Sequence, residues 1–527
     1  MSKGLDDVRT GVQYLPGISK EVTCLLALWH PAYRQRDLNI GFNAERANLS
    51  LRCQGKTSSR SASKRESTDG LQGGGTPRST DEASVMGVEG RGSIIQVLEN
   101  IEGNCLTAGC TEMKKTKPFT IGKLEVMNAY LKVKANKGSG GVDQMSLQNF
   151  ELDKANQLYK LWNQMSSGSY MPCAVKLVEI PKKGGGKRPL GIPTIVDRVG
   201  QTLVKDLLEK DLDKIFHEDS YGYRPNKSAH QAIEQARKRC WKFDWVIDMY
   251  IRGYFDNIPH DLLMKAVRKH TDVKWVLLYI ERWLVAPLQL EDGTIVARTK
   301  GVPQGSVIGP LLANLYLHYV MDLWLSRNHP DCPFERYADD SVIHCASRPK
   351  AERVLQLLGE RMQECGLEMH PEKTKIVYCK DSNRRRKFEP YGEFDFLGHT
   401  FRPRQAQHIG RKETFSNWLP AVSRKSKQSM TEKMKSWTIL RASDVQIEDI
   451  AKAINPVLRG WINYYGKFYR TELKDFMQNV NRMIARWARR KYKKLRTSLL
   501  KAIMWLKGIS VRQPSLFPHW ELGSKPH

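Results

Sequence analysis

The chain has 527 residues, 40% of them hydrophobic, and carries 85 Lys and Arg against 56 Asp and Glu, a net charge of +29. The length exceeds one domain of roughly 100–200 residues, and the apolar share is enough for a packed core. A cationic surplus of this size repels itself unless an anion neutralises it, which points to nucleic acid, with a membrane surface as the alternative. No apolar run approaches the ~18 residues that span a bilayer, and CLLALW from Cys24 is too short and too poorly flanked for a signal peptide. A cytoplasmic location with no membrane partner is therefore expected. The ten cysteines are scattered without a CxxC pair, and the CxxxxC of Cys105 and Cys110 has no matching second pair. Reduced thiols fit this pattern better than zinc or disulfides.

Residues 1–112 differ in texture from the rest. Gln54 to Gly92 is rich in Ser, Gly, Thr, Arg and Lys and has no helical or strand period, so disorder is expected. At Met113 the texture changes, and we read the folded protein as beginning there, with the preceding segment an upstream frame translated through flanking RNA. Apolar residues then recur at helical spacing through Leu124, Met127, Ala129, Tyr130 and Val133. Over 113–404 helical stretches alternate with short β-rich runs: VKLVEI (Val175–Ile180), WVIDMYI (Trp245–Ile251) and RYADDSVIHC (Arg336–Cys345). This is an α+β pattern. From about Ser423 to Gly508 the pattern is helical and basic with no convincing strand, so a separate domain is expected over 405–508, followed by a short tail over 509–527.

The strongest chemical signal is YADD, Tyr337 to Asp340, between two β-like runs. A hairpin with two carboxylates at its tip holds oxygen ligands in one place, which suits Mg²⁺, and two such ions can activate a 3′-hydroxyl and stabilise a leaving pyrophosphate. Alone, an Asp pair is also common in solvated turns. Its neighbours alter the balance. GVPQGSVIGPLLANLYLHYVMD (Gly301–Asp322) begins with small residues that let backbone approach a ligand, placing Gln304 and Gly305 to line a nucleotide pocket. IPKKGGGKRPLGIP, from Ile180, sets Lys182, Lys183, Lys187 and Arg188 about a glycine-rich turn that can present cations to a triphosphate. FHEDSYGYRPN (from Phe216), WVIDMYIRGYFDNIPH (from Trp245), GLEMHPEKTK (from Gly366) and FDFLGHTFRPR (Phe394–Arg404) complete the series.

In this order and spacing the blocks resemble the fingers and palm of bacterial group II intron-encoded reverse transcriptases. The helical part, through INPVLRGWINYYGKFYR (Ile454–Arg470), RMIARWARRKYKKLR (Arg482–Arg496) and SLFPHW (Ser515–Trp520), resembles their thumb, or maturase domain. The resemblance implies a right-hand polymerase scaffold followed by an all-α thumb, and a mobile-element protein that binds group II intron RNA, assists splicing and belongs to the RNA-directed DNA polymerases. It implies a two-metal Mg²⁺ site on Asp339 and Asp340. By position, Phe255 underlies the incoming sugar, Gln304 shapes the nucleotide pocket, Lys187 and Arg188 touch the triphosphate, and Lys373 or Lys375 lies near the leaving group. An RNA template, a DNA primer, dNTPs and target DNA reached through the intron ribonucleoprotein are the further partners implied. The RGWINYYGKF block argues against a retron or diversity-generating lineage. No HNH-type cluster of paired Cys and His follows Lys507, so no DNA endonuclease is expected.

One departure matters. The family's palm strand reads D-x-D-I-K-G-F-F-D, and this chain reads DMYIRGYFD from Asp248 to Asp256. The third metal-binding carboxylate is replaced by Tyr250, whose phenol, with a pKa near ~10, is neutral and cannot bridge two Mg²⁺ ions. Asp248 shares the strand face but lies about 6.6 Å back along it. Asp256 opens the next helix and reads as a turn or cap residue. Ser306, Gly309 and Arg252 are further departures. The expectation is a copy whose DNA synthesis is lost or much weakened, through a lesion one base change from Asp or an engineered knockout. The alternative function is a splicing-only maturase.

RNA contact is expected from Arg482, Arg486, Arg489, Arg490, Lys491, Lys493, Lys494 and Arg496, whose charges neutralise phosphates, with Trp487 and Tyr492 between them to stack on unpaired bases. Trp461, Tyr464 and Tyr465 read as packing residues.

Overall fold

The computed structural model describes residues 117–181, 187–379, 381, 392–407 and 414–527. The chain divides into two units, Met1–Thr120 and Ile121–His527, and the fold is that of the second. The extension expected over 1–112, and Lys182 and Lys183 of the glycine-rich turn, lie outside the described residues.

Among those residues the strands are β1 (Val175–Pro181), β2 (Lys187–Ile192), β3 (Trp245–Tyr250), β4 (Leu288–Gln289), β5 (Ile295–Val296), β6 (Phe334–Tyr337), β7 (Asp340–Cys345), β8 (Lys375–Tyr378), β9 (Phe394–Phe396), β10 (His399–Gln407) and β11 (Thr414–Val422). They form three sheets, ordered β2-β1-β4-β5, β6-β7-β3-β8 and β11-β10-β9. The helix Lys123–Ala135 buries Val126, Met127, Ala129, Tyr130 and Val133, whereas Leu124, included in the expected apolar face, is exposed.

The central sheet positions the site. β3 runs WVIDMY, apolar on both sides of the strand, and lies between β7 and β8. Residues opposite one another in an antiparallel pair share a face. Val246 thus lies with His344 and Val377, Asp248 with Val342 and Lys375, and Tyr250 with Asp340. On this face Val246, Val342 and Val377 join Ile233 and Ala236 of the helix Ala229–Cys240 and Phe394, Phe401 and Trp418 of the third sheet in one core. Trp245 belongs to the opposite face and lies under the Arg348 guanidinium. Arg348 opens the helix Arg348–Glu364, which packs on β3, β7 and β8 through Ala351, Val354, Leu358 and Met362.

The helical part begins near Ser423, where the sequence pattern places it, but the stretch before it is a hairpin rather than part of a helical domain. β10 continues to Gln407, β11 pairs with it from Thr414 to Val422, and helix starts at Arg424. Pro403 and Pro420 hid these strands. Both are tolerated because β9 pairs only with residues 399–401, which leaves the rest of β10 unpaired on that side, and β11 is an edge strand. The helices Arg424–Lys435, Ile447–Tyr465, Arg470–Lys491 and Leu499–Arg512 then enclose a core that includes Leu458, Met477, Ile484 and Trp487. The segment expected to be a tail belongs to this core. Phe517 and Trp520 are buried, and the Trp520 indole donates to Asn481 at 2.9 Å.

Candidate active site and nucleic-acid interface

The YADD motif is a tight hairpin. Tyr337 pairs with Asp340, leaving Ala338 and Asp339 as its two-residue turn, with Ala338 left-handed at φ 57°. An alanine holds that strained conformation only where its surroundings enforce it. They do so through Arg336, which is wholly buried. It donates to the Ala338 carbonyl at 3.1 Å, to both carboxylate oxygens of Asp322 at 2.7 and 2.6 Å, and to Asn314 at 3.0 Å. Asn314 in turn donates to the carbonyl of Gly222 at 2.6 Å. A Cβ on Gly222 would lie 2.4 Å from the Ala338 nitrogen, so only glycine lets the SYGY segment lie against the turn. This explains why that block travels with YADD in the sequence.

Above this platform Asp340 faces Tyr250 across β3 and β7. Burial pushes the Asp340 carboxyl up to about 6, Asp339 adds to the rise, and Lys373 and Lys425 oppose it. Asp339 is raised by burial, with Arg188 and Arg336 opposing. Asp248, one strand pair deeper, is pushed to about 8 by burial, with Lys375 opposing and Asp340 and Asp395 adding. The Tyr250 phenol rises further above its ordinary range, first through burial and then through these acids. It is therefore neutral, and it donates to the Asp395 carbonyl at 3.1 Å. A cleft of about 840 Å³ opens here, with Tyr250, Asp340, Asp395, Gly398, Lys425 and Tyr465 among its lining residues.

These residues do not fit a two-metal centre. The position facing Asp340 carries a neutral phenol committed to a backbone carbonyl, and no group of three His, Cys, Asp or Glu able to hold a metal occurs among the described residues. Magnesium prefers carboxylate oxygens, and the Tyr250 phenol adds none to those of Asp339 and Asp340.

The fingers hairpin meets the palm at Gln304. Arg188 donates to its side-chain oxygen at 2.6 Å, its amide donates to Asp256 at 3.3 Å, and its carbonyl accepts from the Gly191 nitrogen at 2.6 Å. Gly305 has φ 114°, and a Cβ there would lie 2.3 Å from the Gly191 carbonyl oxygen. Arg188, Gln304 and Gly305 are thus brought together. Phe255, half-buried, stands beside Asp256 with its carbonyl accepting from the Val302 nitrogen at 2.7 Å. Lys187 is exposed and pairs with Glu179 on its own hairpin. Lys375 is set apart from the others: it lies opposite Asp248 and donates to the Glu393 carbonyl at 2.9 Å, while Lys373, together with Lys425, acts on Asp340 through its charge. Sequence reading did not name Lys425 or Asp395 as site residues. Asp395 lies on β9 within the FDFLGHTFRPR block, whereas Lys425 comes from the helix Arg424–Lys435, which no motif marks.

The helix Arg470–Lys491 buries Leu473, Met477, Val480, Ile484 and Trp487 at helical spacing. This turns Arg482, Arg486 and Arg490 outward, and Lys493, Lys494 and Arg496 are exposed beyond its end. Trp487, expected to stack on bases, is instead wholly buried and donates to the Ala442 carbonyl at 2.9 Å, because its spacing puts it on the apolar face. Three cations of the cluster also hold the fold. Arg489 donates to the Arg496 carbonyl at 2.9 Å, Arg490 to that of Leu440, and Lys491 to that of Val445 at 2.5 Å. Tyr464, expected to pack, stacks on His230 with centroids 5.2 Å apart and donates to the Leu397 carbonyl at 2.9 Å.

An acidic hairpin on a four-stranded antiparallel sheet, a cationic hairpin facing it, and a basic helical region define a right-hand polymerase scaffold joined to a cationic helical surface. Residues 180–401 match the model for reverse transcriptase (RNA-dependent DNA polymerase), and residues 427–505 match the group II intron maturase-specific domain. Protein YkfC of Escherichia coli is 31% identical over 297 residues, covering 49% of this chain and 74% of YkfC. The group II intron-encoded protein LtrA of Lactococcus lactis is 30% identical over 282 residues, covering 51% of this chain and 46% of LtrA. A COX1/OXI3 intron 1 protein of Saccharomyces cerevisiae is 28% identical over 253 residues, covering 47% of this chain and 29% of that protein. This chain belongs to the family of group II intron-encoded reverse transcriptases with a maturase domain. It spans less than half the length of the LtrA and COX1 intron relatives. No helix among the described residues is long and apolar enough to cross a membrane.

Proposed function

We propose that this chain acts as a maturase: it binds the structured RNA of its own group II intron and assists splicing, while its palm no longer supports efficient DNA synthesis. The outward line of Arg482, Arg486 and Lys493 supports the first part. A cationic face lowers the electrostatic cost of packing RNA helices and needs no catalytic carboxylate. Tyr250 facing Asp340 supports the second part. In an active relative Mg²⁺ would supply the charge stabilisation for nucleotidyl transfer. Here Asp339 and Asp340 remain, and Arg188 and Gln304 keep the arrangement that would orient a triphosphate. We further propose that the fingers and palm end with the β9–β11 sheet and that the maturase domain begins at Arg424.

The test pairs two assays on the full chain. Splicing of the intron precursor should accelerate with protein present, and extension of a DNA primer on an RNA template should be weak. Tyr250→Asp should raise extension on the order of 100-fold and leave splicing unchanged. Robust extension by the unaltered chain would remove the second part, and failure to bind the intron transcript at moderate salt would remove the first.

A further inference from the structure

A second cavity, of about 370 Å³, lies apart from the motif site, between the helices His260–Arg268, Gly309–Leu317 and Arg348–Glu364. Lys265, Lys269 and Arg361 line it with Tyr316 and Tyr319, and Glu364 is the one acid among its lining residues. Glu364 is engaged by Arg361 at 3.3 Å, yet the Arg361 Nε is buried without a partner. The chain widens to a π-helical turn over His318–Asp322, and such insertions recur at functional sites. Here the turn carries Tyr319 to the cavity. Its hydroxyl is fixed by the His270 ring at 2.6 Å, and the Lys269 ammonium lies 5.0 Å from its ring centre. Tyr316 is anchored by donating to the Cys365 carbonyl at 2.6 Å.

Three cations converging beside a fixed aromatic ring match one ligand chemistry: phosphate on the cations and a planar base against the tyrosine. A cavity of this size suits a ligand of nucleotide dimensions. We propose that this pocket binds one nucleoside phosphate unit, with Lys265, Lys269 and Arg361 holding the phosphate and Tyr319 meeting the base. The unit can come from an RNA strand, which rests on the RNA-binding reading above, or from a free nucleotide, which does not.

Calorimetric titration of the full chain with AMP, inorganic phosphate and adenosine tests the proposal. AMP should saturate a site, with phosphate weaker and adenosine weaker still. The exposed double variant Lys265→Glu with Lys269→Glu should weaken AMP binding about ten-fold, while Tyr319→Ala should weaken AMP but not phosphate. Displacement of AMP by a short oligoadenylate assigns the ligand to a strand, and absence of displacement assigns it to free nucleotide. Absent AMP binding, or binding equal in the double variant, overturns the proposal. Arg482→Glu with Arg486→Glu should leave AMP affinity unchanged, so failure here is separable from failure of RNA binding by the helical region.

Discussion

The palm and the basic helical region both carry the family's sequence, but substitution is expected to affect them in opposite ways. In the palm, function converges on a few atoms: Asp339 and Asp340 at a hairpin tip, and the residue facing Asp340. On the proposed reading, Tyr250 supplies no carboxylate there, and Asp248 lies a strand pair deeper and is held largely protonated. In the helical region the charge is spread over Arg482, Arg486, Lys493, Lys494 and Arg496, and each adds its own increment of counterion release. Convergent chemistry is lost in one step, whereas distributed electrostatics fades gradually. A chain can therefore retain RNA binding after its polymerase site has failed.

The largest expected effect strikes the palm from beneath. Arg336→Met leaves Asp322 buried and unpaired, and breaking such a pair costs about 3–5 kcal/mol. Denaturant unfolding should register that loss, and a change under 1 kcal/mol would mean, on the scale of about ±0.5 kcal/mol for neutral surface changes, that the pair is not what holds the hairpin. Next comes Tyr250→Asp, with its gain on the order of 100-fold in primer extension. The same variant sharpens the comparison in a second way. It adds a carboxyl among Asp248, Asp340 and Asp395, so its melting temperature should fall without Mg²⁺ and recover with it, while the parent's should be indifferent.

A smaller effect is expected in the helical region. Arg482→Glu, Arg486→Glu and Lys493→Glu together should weaken intron RNA binding about 30-fold at moderate salt and flatten its salt dependence, with the melting temperature unchanged. Arg489 and Arg490 are poorer probes because both hold backbone carbonyls. An unaltered salt slope would place the RNA elsewhere.

The smallest effect is on pH dependence. Burial pushes His519 down to about 3 and His399 to about 4. Below their ordinary value of about 6.5, the unfolded chain binds protons that the folded chain refuses. Their contribution is thus complete above that pH and is lost as pH falls toward 4 and then 3. His519→Gln, which can still reach Asn481, should flatten the acid limb of the stability curve by about 1 kcal/mol at pH 5. Equal acid limbs in parent and variant would contradict the buried neutral ring.

Much of this molecule was legible in the sequence because its signals are local. The period-two register of WVIDMY put Asp248 and Tyr250 on one face and YADD read as a hairpin tip, whereas the helical period of 473–488, which separates a buried stripe from a charged one, was present in the sequence but not read. The same period should have withdrawn Trp487 from the stacking surface, and only the weight given to its basic neighbours hid that. The β10–β11 hairpin was not legible, since Pro403 and Pro420 speak against strands and their tolerance depends on which edges stay unpaired. Nor was the partnership of Arg188 with Gln304, which are 116 residues apart. Sequence by itself determined the family, most of the motif-bearing elements and the presence of Tyr250 on the face of Asp248, because side-chain chemistry and short-range periodicity are properties of neighbours in the chain. Tertiary structure alone decided which lysines act on Asp340, which cations of the basic cluster hold backbone carbonyls and where a cavity opens beside Tyr319. Those depend on distances between segments that no local pattern encodes.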